Sequence, residues 1–245
     1  MGDNKQVPLP SFSKNICIVL VRPENDGNIG AVARNLMNFG IMDLRVIGHN
    51  GEWSETVRKR AKNAQLVLQK AKVFDSLEQA IYDCSLVIGT SGKREGGNKT
   101  AYRHFLNPDE LPSRLKNTDG RIGIVFGPEG KGLLNHELKK CDLLVNINTW
   151  QGYPILNLSH AVSIICYSWF NNNVELYNDR LLDPQLRRKL RIEIKRLVKN
   201  MNTKDHRREG IEDTLLRVIM RGLPKDDEIH RILSVITQAA DSFQD

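Results

Sequence analysis

Short runs of β-branched and aliphatic residues recur along the first two thirds of the chain and limit its fold more than any other feature. The first, Ile16–Val21, reads ICIVLV and is apolar at every position, as is typical of a strand buried on both faces of a parallel sheet. Helical patterns separate similar runs, which predict further strands at 44–47, 72–74, 85–89, 122–126 and 143–147. Strands that alternate with helices at this spacing predict an α/β domain built on a parallel sheet.

The chain changes character after residue 170. Polar residues follow at 171–173 and 178–184, and three helical patterns without any strand signal then occupy about 185–201, 208–221 and 226–240. We therefore predict four parts, which are a flexible leader at 1–14, an α/β domain at 15–171, a linker at 172–184 and a small all-α extension at 185–245. An extension of about 60 residues buries little core by itself. We expect it to pack on the main domain, a partner subunit or a substrate.

The bulk composition excludes a membrane protein. Hydrophobic residues make up 40% of the 245 positions, which is enough for a core. The mean hydropathy of −0.41 is too low for a membrane protein. The longest mostly apolar run, at 161–170, is too short to cross a bilayer, and the N-terminus has no signal-peptide pattern. We therefore expect a cytoplasmic protein with no membrane partner.

The cysteines and histidines do not suggest a metal site. The four cysteines (Cys17, Cys84, Cys141 and Cys166) are far apart, with no C-x-x-C pair and no histidine at ligand spacing. Such cysteines are typically small buried hydrophobic residues in a reducing compartment, rather than zinc ligands or disulfides. The histidines show no triad spacing either, so hydrolase and metalloenzyme functions have little support, and we expect no metal.

Positive charge is concentrated in the extension. The net charge is +7, while residues 185–208 alone contain ten Lys or Arg against two acidic residues. Such a segment is either a solvated helix face or a surface that contacts the phosphates of a folded RNA. On the second interpretation the predicted RNA-binding residues are Arg187, Arg188, Lys189, Lys195, Arg196 and Lys199.

Three polar segments, at 27–34, 126–133 and 155–161, each lie where a predicted strand passes into a helix, and the first two contain glycines. Because parallel strands share one carboxyl edge, the segments predict one ligand site there. The first lacks the G-x-G-x-x-G spacing of a dinucleotide site, and the second ends in Gly-Lys-Gly, so it is not a Walker A loop. Their glycines instead allow close backbone approach to a ligand.

Two charged residues in these segments allow either a structural or a functional interpretation. Arg34 is predicted on the first helix, where an arginine is usually a solvated surface residue. Glu129 is predicted at a helix start, where a carboxylate either caps the helix and complements its dipole or belongs to the site. The residues by themselves leave both interpretations open.

The three segments, in this order, resemble the motifs of the SpoU branch of the SPOUT RNA methyltransferases. The matching patterns are N-x-G-x-x-x-R at 28–34, F-G-P-E-G-x-G-L at 126–133 and L-N-L-S at 156–159. The resemblance covers about residues 16–169, and the helical extension is most similar to that of members that methylate a tRNA ribose. It implies a parallel-sheet SPOUT fold with a C-terminal trefoil knot, a homodimer, a tRNA substrate and S-adenosylmethionine as cofactor.

The resemblance also implies residue roles. The catalytic residues would be Arg34, Asn28, Glu129 and Asn157, and the substrate would be the 2′-oxygen of nucleotide 32 in a tRNA anticodon loop. One departure is Ile155, since relatives often carry serine two residues before the motif asparagine; the side-chain hydroxyl contact is therefore missing. The cofactor would lie against Thr90, Ser91, Gly92, Gly127, Ile147, Pro154, Ile155 and Leu156.

Methyl transfer from a sulfonium is an in-line displacement, so alignment of the reacting atoms dominates. A guanidinium stays protonated in nearly any protein environment. We therefore expect Arg34 to stabilise the developing alkoxide or to hold the adjacent phosphate, rather than to act as a base, with Glu129 and Asn28 orienting it. Two other functions stay open, which are methylation of rRNA by the same fold and RNA binding without catalysis.

Overall fold

A seven-stranded parallel sheet forms the centre of the protein. The computed structural model describes residues 7–92, 105–115, 120–171 and 182–243. The strands are β1 Ile16–Val21, β2 Asp43–Ile47, β3 Lys72–Phe74, β4 Leu86–Thr90, β5 Phe105–Leu106, β6 Ile122–Phe126 and β7 Leu143–Val145. Their order is β3-β2-β1-β6-β4-β7-β5, and each neighbouring pair is parallel. The predicted α/β fold is confirmed, and the trefoil knot stays a prediction.

Helices cover both faces of the sheet. They are α1 Asp26–Asn38, α2 Glu55–Ala61, α3 Gln65–Lys70, α4 Leu77–Ala80, α5 Glu110–Arg114, α6 Asn135–Leu138, α7 Leu158–Asn171, α8 Pro184–Asn200, α9 Asp205–Arg221 and α10 Asp226–Ser242. All six side chains of β1 are buried, and they alternate between two apolar layers: Ile16, Ile18 and Leu20 pack with α1, α2 and α7, while Cys17, Val19 and Val21 pack with α4 and α6. This double burial explains why β1 has no polar position.

The structure adds elements that the sequence patterns do not predict. Helix α3 follows α2 after residues 62–64, and the φ of 52° at Lys62 interrupts the helical backbone between them. Strand β5 has two residues and pairs only with the edge of β7, so it is too short to produce a period-two pattern. Helix α1 begins at Asp26, at the front of the first polar segment, because the Asn25 side chain accepts a hydrogen bond from the Gly27 N–H at 2.7 Å.

The predicted flexible leader is partly ordered. Residues 1–6 lie outside the described part of the chain, but Ser11–Asn15 form a 3-10 helix immediately before β1. Phe12 is buried, and its ring meets the ring of Phe170 edge-on with centroids 6.5 Å apart. The chain therefore joins the core at residue 11, and a leader that runs to residue 14 is wrong.

The helical extension shares the core of the α/β domain. Helices α8, α9 and α10 lie close to their predicted positions, and the buried Leu190, Ile194, Ile229 and Leu233 belong to the same apolar cluster as β1 and α1. Most of the predicted linker, residues 172–181, lies outside the described residues. Of the three packing surfaces that the sequence left open, the extension uses the main domain of its own chain. Among the described helices, none is both long and apolar enough to cross a membrane.

Candidate active site

The three polar segments meet at the carboxyl edge of the central strands. The second and third segments line a cavity of about 340 Å³, a size typical of small-molecule sites, and the first joins them by hydrogen bonds beside it. All of the residues predicted to contact a cofactor line this one cavity, namely Thr90, Ser91, Gly92, Gly127, Ile147, Pro154, Ile155 and Leu156. The sequence interpretation missed Leu133, Leu134 and Leu138, which form an apolar wall after β6. The adjacent pair Leu133 and Leu134, at the end of the second polar segment, is the sequence feature that could have indicated this wall.

Hydrogen bonds to backbone carbonyl groups hold the cavity loops in place. The buried Asn146 donates its side-chain amide to the Ser91 carbonyl oxygen at 2.6 Å, and the Ser91 N–H donates to Val145 O at 3.1 Å. The Thr90 hydroxyl donates to the Val125 carbonyl oxygen at 3.0 Å, so it links β4 to β6. These bonds fix the loops after β4 and β7 against each other. Asn146 is therefore a positioning residue that the motifs did not reveal.

Gly127 is required by close backbone packing. A Cβ atom at this position would lie 2.2 Å from both the Gly132 carbonyl carbon and the Leu133 nitrogen, a distance that no side chain tolerates. Gly130 and Gly132 have φ values of +74° and +68°, which favour glycine, and a Cβ on either would have no atom within 4 Å. The loop after β6 therefore folds tightly on itself and leaves its backbone open to the cavity.

A series of polar side chains extends from Glu129, which lines the cavity, to Asn28 and Asn157, which lie beside it, and we call this edge the mouth of the cavity. Asn28 donates its amide to Glu129 Oε1 at 2.6 Å, and Asn157 donates its amide to Asn28 Oδ1 at 3.0 Å. The other Glu129 oxygen accepts the Glu24 N–H at 2.8 Å, and Asn157 Oδ1 accepts from the N–H and hydroxyl of Ser159 at 2.9 and 2.7 Å. Three of the four predicted catalytic residues therefore lie in one hydrogen-bonded series.

The structure corrects the predicted environment of Glu129. This residue lies in a turn, and the next helix, α6, begins only at Asn135, so Glu129 does not cap a helix. Glu137 instead caps the N-terminus of α6, because its Oε2 accepts a hydrogen bond from the Leu134 N–H at 2.8 Å. Glu129 instead joins the loop after β6 to the start of α1.

Arg34 lies apart from the polar series. The hypothesis that Asn28 and Glu129 orient its guanidinium is wrong within one chain, because those two side chains bond to each other and Arg34 has no hydrogen bond or ion pair among the described residues. Asn28 and Asn35, seven residues apart on α1, face α7, where Asn35 donates to the Ser159 carbonyl oxygen at 2.7 Å. Arg34 is exposed on a different face of α1.

The predicted RNA-binding residues of α8 divide into two groups. Arg187 is only 6% exposed and its Nε lies 2.7 Å from Asp142 Oδ2, which contradicts its prediction as an RNA contact. Arg188 covers the Tyr82 ring at 4.1 Å, and Arg196 forms ion pairs with Glu193 and Asp241. The second group is Lys189, Lys195 and Lys199, which are all exposed.

A buried ion cluster joins α8 to the sheet. The Asp142 side chain is fully buried, and its carboxylate also binds Arg191 at 2.7 Å and the Val87 N–H at 2.8 Å. Burial favours a raised pKa for Asp142, but the Arg187 and Arg191 guanidinium groups outweigh it and hold the pKa of this carboxyl below its ordinary value. The basic N-terminal half of α8 therefore attaches the extension to β7.

The cysteines have no catalytic environment. All four are free and buried, and burial raises the pKa of the Cys141 and Cys166 thiols to about 12. At neutral pH such thiols stay protonated and unreactive. Among the described residues no three His, Cys, Asp or Glu side chains are grouped as a metal site.

Comparison with known proteins agrees with this geometry. The model of the SpoU rRNA Methylase family matches residues 15–167, more than half of the chain. The chain belongs to the SpoU rRNA Methylase family. A member from Methanocaldococcus jannaschii, the tRNA (cytidine-2′-O-)-methyltransferase TrmJ, is 35% identical over 227 residues, which cover 89% of this chain and 97% of the relative. The TrmJ of Sulfolobus acidocaldarius is 27% identical over 90% of this chain and 92% of its own.

A solved structure supports the same fold. The crystal structure of TrmJ from Z. mobilis ZM4 superposes with a TM-score of 0.72 at 26% identity, covering 91% of this chain and 97% of that one. The coverage includes the helical extension as well as the SpoU methylase domain. The resemblance stated from the three motifs is therefore confirmed.

Proposed function

We propose that this protein is an S-adenosylmethionine-dependent methyltransferase that methylates a ribose 2′-oxygen of tRNA. The observation that carries the proposal is that the loops after β4, β6 and β7 line one cavity, and that Asn28, Glu129 and Asn157 form a hydrogen-bonded series that joins the three motif segments at its mouth. The names of the TrmJ relatives, which are similar along nearly the whole chain, support the tRNA substrate.

The cavity fits the proposed cofactor in size and chemistry. Its walls combine aliphatic side chains, such as Leu138, Ile147 and Leu156, with the open backbone of the loops at 127–132 and 154–156. An adenine ring needs an apolar slot of this kind, and backbone N–H and C=O groups provide the polar contacts at its edge. The tight packing at Gly127 keeps this backbone fixed before the cofactor binds.

S-adenosylmethionine, when bound, supplies a methyl group on a positively charged sulfur. The polar series at the mouth is the part of this chain suited to align a ribose, because Asn28 and Asn157 present fixed amide groups there. Arg34, exposed and without a carboxylate partner among the described residues, is available to a substrate phosphate or to the developing alkoxide. Such an interaction stabilises negative charge without requiring the guanidinium to lose a proton.

The finer parts of the proposal concern substrate position and assembly. We propose nucleotide 32 of the anticodon loop as the target, a cytoplasmic homodimer as the working form and a trefoil knot around the cavity. Lys189, Lys195 and Lys199 of α8, together with Arg188 and Arg196, are proposed to contact tRNA phosphates. Arg187 is excluded from this set because it pairs with Asp142 inside the protein.

The test is methylation of unmodified total tRNA with S-adenosylmethionine labelled in its methyl group. Nucleoside mass spectrometry and mapping of the modified nucleotide should then give a 2′-O-methylated ribose at position 32. Unmodified rRNA, assayed in parallel, should take up little label, and preferential labelling of rRNA would replace the proposal with its closest alternative. Calorimetry that shows no binding of S-adenosylmethionine would instead favour an RNA-binding protein without catalysis.

A further inference from the structure

Helix α2 carries a dense group of cations. Arg58, Lys59 and Arg60, together with Lys62 directly after the helix, are all exposed, and Glu55 is the one acidic residue in the segment 55–62. None of the four cations has a carboxylate within ion-pair distance among the described residues. We define these four residues as the α2 cluster.

Three of the seven cations of helix α8 differ from the α2 cluster in this respect. Arg187 and Arg191 bind Asp142, and Arg196 binds Glu193 and Asp241, so carboxylates of the same chain neutralise these three arginines. The α2 cluster keeps its full charge at the surface. An unpaired group of like charges repels itself and costs stability, so a partner that neutralises it is favoured.

The α2 cluster lies beside the first turns of α1. A Cβ on Gly30 would lie 2.2 Å from the Val57 carbonyl oxygen and 2.8 Å from the Arg60 Cβ, so the two helices are in backbone contact. The Ser54 hydroxyl, at the start of α2, also donates to the Asp26 carboxylate at the start of α1. Arg60 extends towards Gly27, where a Cβ would lie 3.9 Å from its Nε.

Arg34 lies on this same side of α1. Gly27, Gly30 and Arg34 are separated by three and four residues, which places them on one face of the helix. The face that carries Asn28 and Asn35 turns towards α7 and the cavity mouth instead. Helix α1 therefore has the polar series on one side, while Arg34 and the α2 cluster lie on the other.

We propose that the α2 cluster binds the sugar-phosphate backbone of the substrate RNA next to the nucleotide that is methylated. The inference rests on the proposed function, which places the target ribose at the end of α1. A ribose held at Asn28 brings its flanking phosphates within a few ångströms of the same helix end, where the α2 cluster provides unpaired cations. Contacts of this kind fix the register of the RNA without reading its sequence.

The test compares two triple variants that each remove three positive charges from exposed residues. The first variant carries Arg58→Gln, Lys59→Gln and Lys62→Gln. It keeps Arg60, because the Arg60 side chain packs against Gly30. Glutamine, like lysine and arginine, has a high helix propensity, so α2 should stay helical. In the matched control, Lys14→Gln, Lys70→Gln and Lys72→Gln change residues at the amino edge of the sheet, the edge opposite the cavity. Both full-length variants and the wild type are assayed for tRNA affinity at several salt concentrations, S-adenosylmethionine affinity and methylation rate.

We expect the α2 variant to bind tRNA at least about tenfold more weakly at physiological salt, with the slope of log K against log salt reduced by about 2–3, because each lost phosphate contact contributes about 0.7–0.9. The affinity for S-adenosylmethionine should stay within about twofold of wild type, and the control variant should keep the tRNA affinity. Wild-type tRNA affinity and salt slope in the α2 variant, or an equal loss in both variants, would overturn the inference. Binding is measured apart from methylation, so a wild-type protein that binds tRNA through α2 without methylating it would overturn only the proposed function.

Discussion

The Asn28 amide nitrogen lies 2.6 Å from Glu129 Oε1, across a sequence separation of 101 residues. This hydrogen bond joins the start of α1 to the loop after β6, and a charged acceptor makes it stronger than a bond between neutral groups. Through Asn157 the same series reaches the start of α7. The geometry of the cavity mouth therefore depends on one carboxylate.

Replacement of Glu129 should reduce catalysis more than it reduces stability. Glu129→Ala leaves the Asn28 amide and the Glu24 N–H without their acceptor, so we expect kcat/KM for tRNA to fall at least about 100-fold through misalignment. Glu129→Gln keeps one acceptor oxygen and should give an intermediate rate. Steady-state kinetics, with thermal denaturation as the control for folding, measures both. A wild-type kcat/KM in Glu129→Ala would show that the polar series has no part in the reaction.

Replacement of Arg34 should separate charge from geometry. Arg34→Ala is expected to lower kcat at least about 100-fold, the usual cost of removing a group that stabilises developing negative charge. Arg34→Lys should recover less than about a tenth of the activity, because an ammonium cannot form the paired hydrogen bonds of a guanidinium. Single-turnover methylation at saturating tRNA gives the chemical rate. Equal rates in Arg34→Ala and wild type would remove Arg34 from the mechanism.

Substitution of Gly127 should damage the cavity, whereas the same substitution elsewhere should not. Gly127→Ala forces a methyl group to within 2.2 Å of the backbone at Gly132 and Leu133, so we expect a loss of about 1–3 kcal/mol of stability and weaker binding of S-adenosylmethionine. Gly210→Ala, in the interior of α9 with no atom within 4 Å of the new Cβ, should gain about 0.5–1 kcal/mol. Denaturant titration and calorimetry measure the two effects. Equal stability of both variants would contradict the close packing at Gly127.

Substitution of Asp142 should release the extension. Asp142→Asn leaves the Arg187 and Arg191 guanidinium groups without their shared carboxylate, and breaking such a buried pair costs about 3–5 kcal/mol at neutral pH. Because the pKa of Asp142 is lowered in the folded state, its stabilising contribution is present above the unfolded pKa of about 4 and is lost as the pH falls through the lower folded value.

The difference in unfolding free energy between wild type and Asp142→Asn should therefore shrink as the pH falls below about 4. Urea denaturation between pH 3 and pH 7 tests this. A difference that stays constant over that range would mean that the Asp142 carboxylate is not the group responsible.

The lysines of α8 provide a cleaner test of RNA binding by the extension than its removal. Truncation of the extension would expose the partners of Leu190 and Ile194 and leave Asp142 without its arginines, so a loss of tRNA binding would not distinguish contact from unfolding. The triple variant Lys189→Gln, Lys195→Gln and Lys199→Gln changes only exposed side chains and should keep the thermal stability of wild type. We expect its salt slope for tRNA binding to fall by about 2–3. An unchanged slope would place the tRNA elsewhere on the protein.

The sequence by itself determined the parallel α/β fold and the loops that line the cavity. A strand buried on both faces is apolar at every position, so the sequence predicts β1 from one apolar run of six residues. Parallel strands also share one carboxyl edge, so the polar segments that follow them had to meet. Both conclusions depend on local patterns and one rule of topology.

Only the tertiary structure decided which charged side chains are free. Arg187 and Lys189 are two residues apart in the same basic helix, yet Arg187 is buried because Asp142, 45 residues earlier, lies beneath it. Arg34 is exposed on a different face of α1 from Asn28, since α1 packs between α2 and α7. The α2 cluster lies beside α1 through the contact at Gly30. The sequence shows which residues are charged, but long-range packing determines which opposite charge lies next to each of them. A cation beside a carboxylate stabilises the fold, as Arg187 does, whereas an unpaired cation stays available to a substrate.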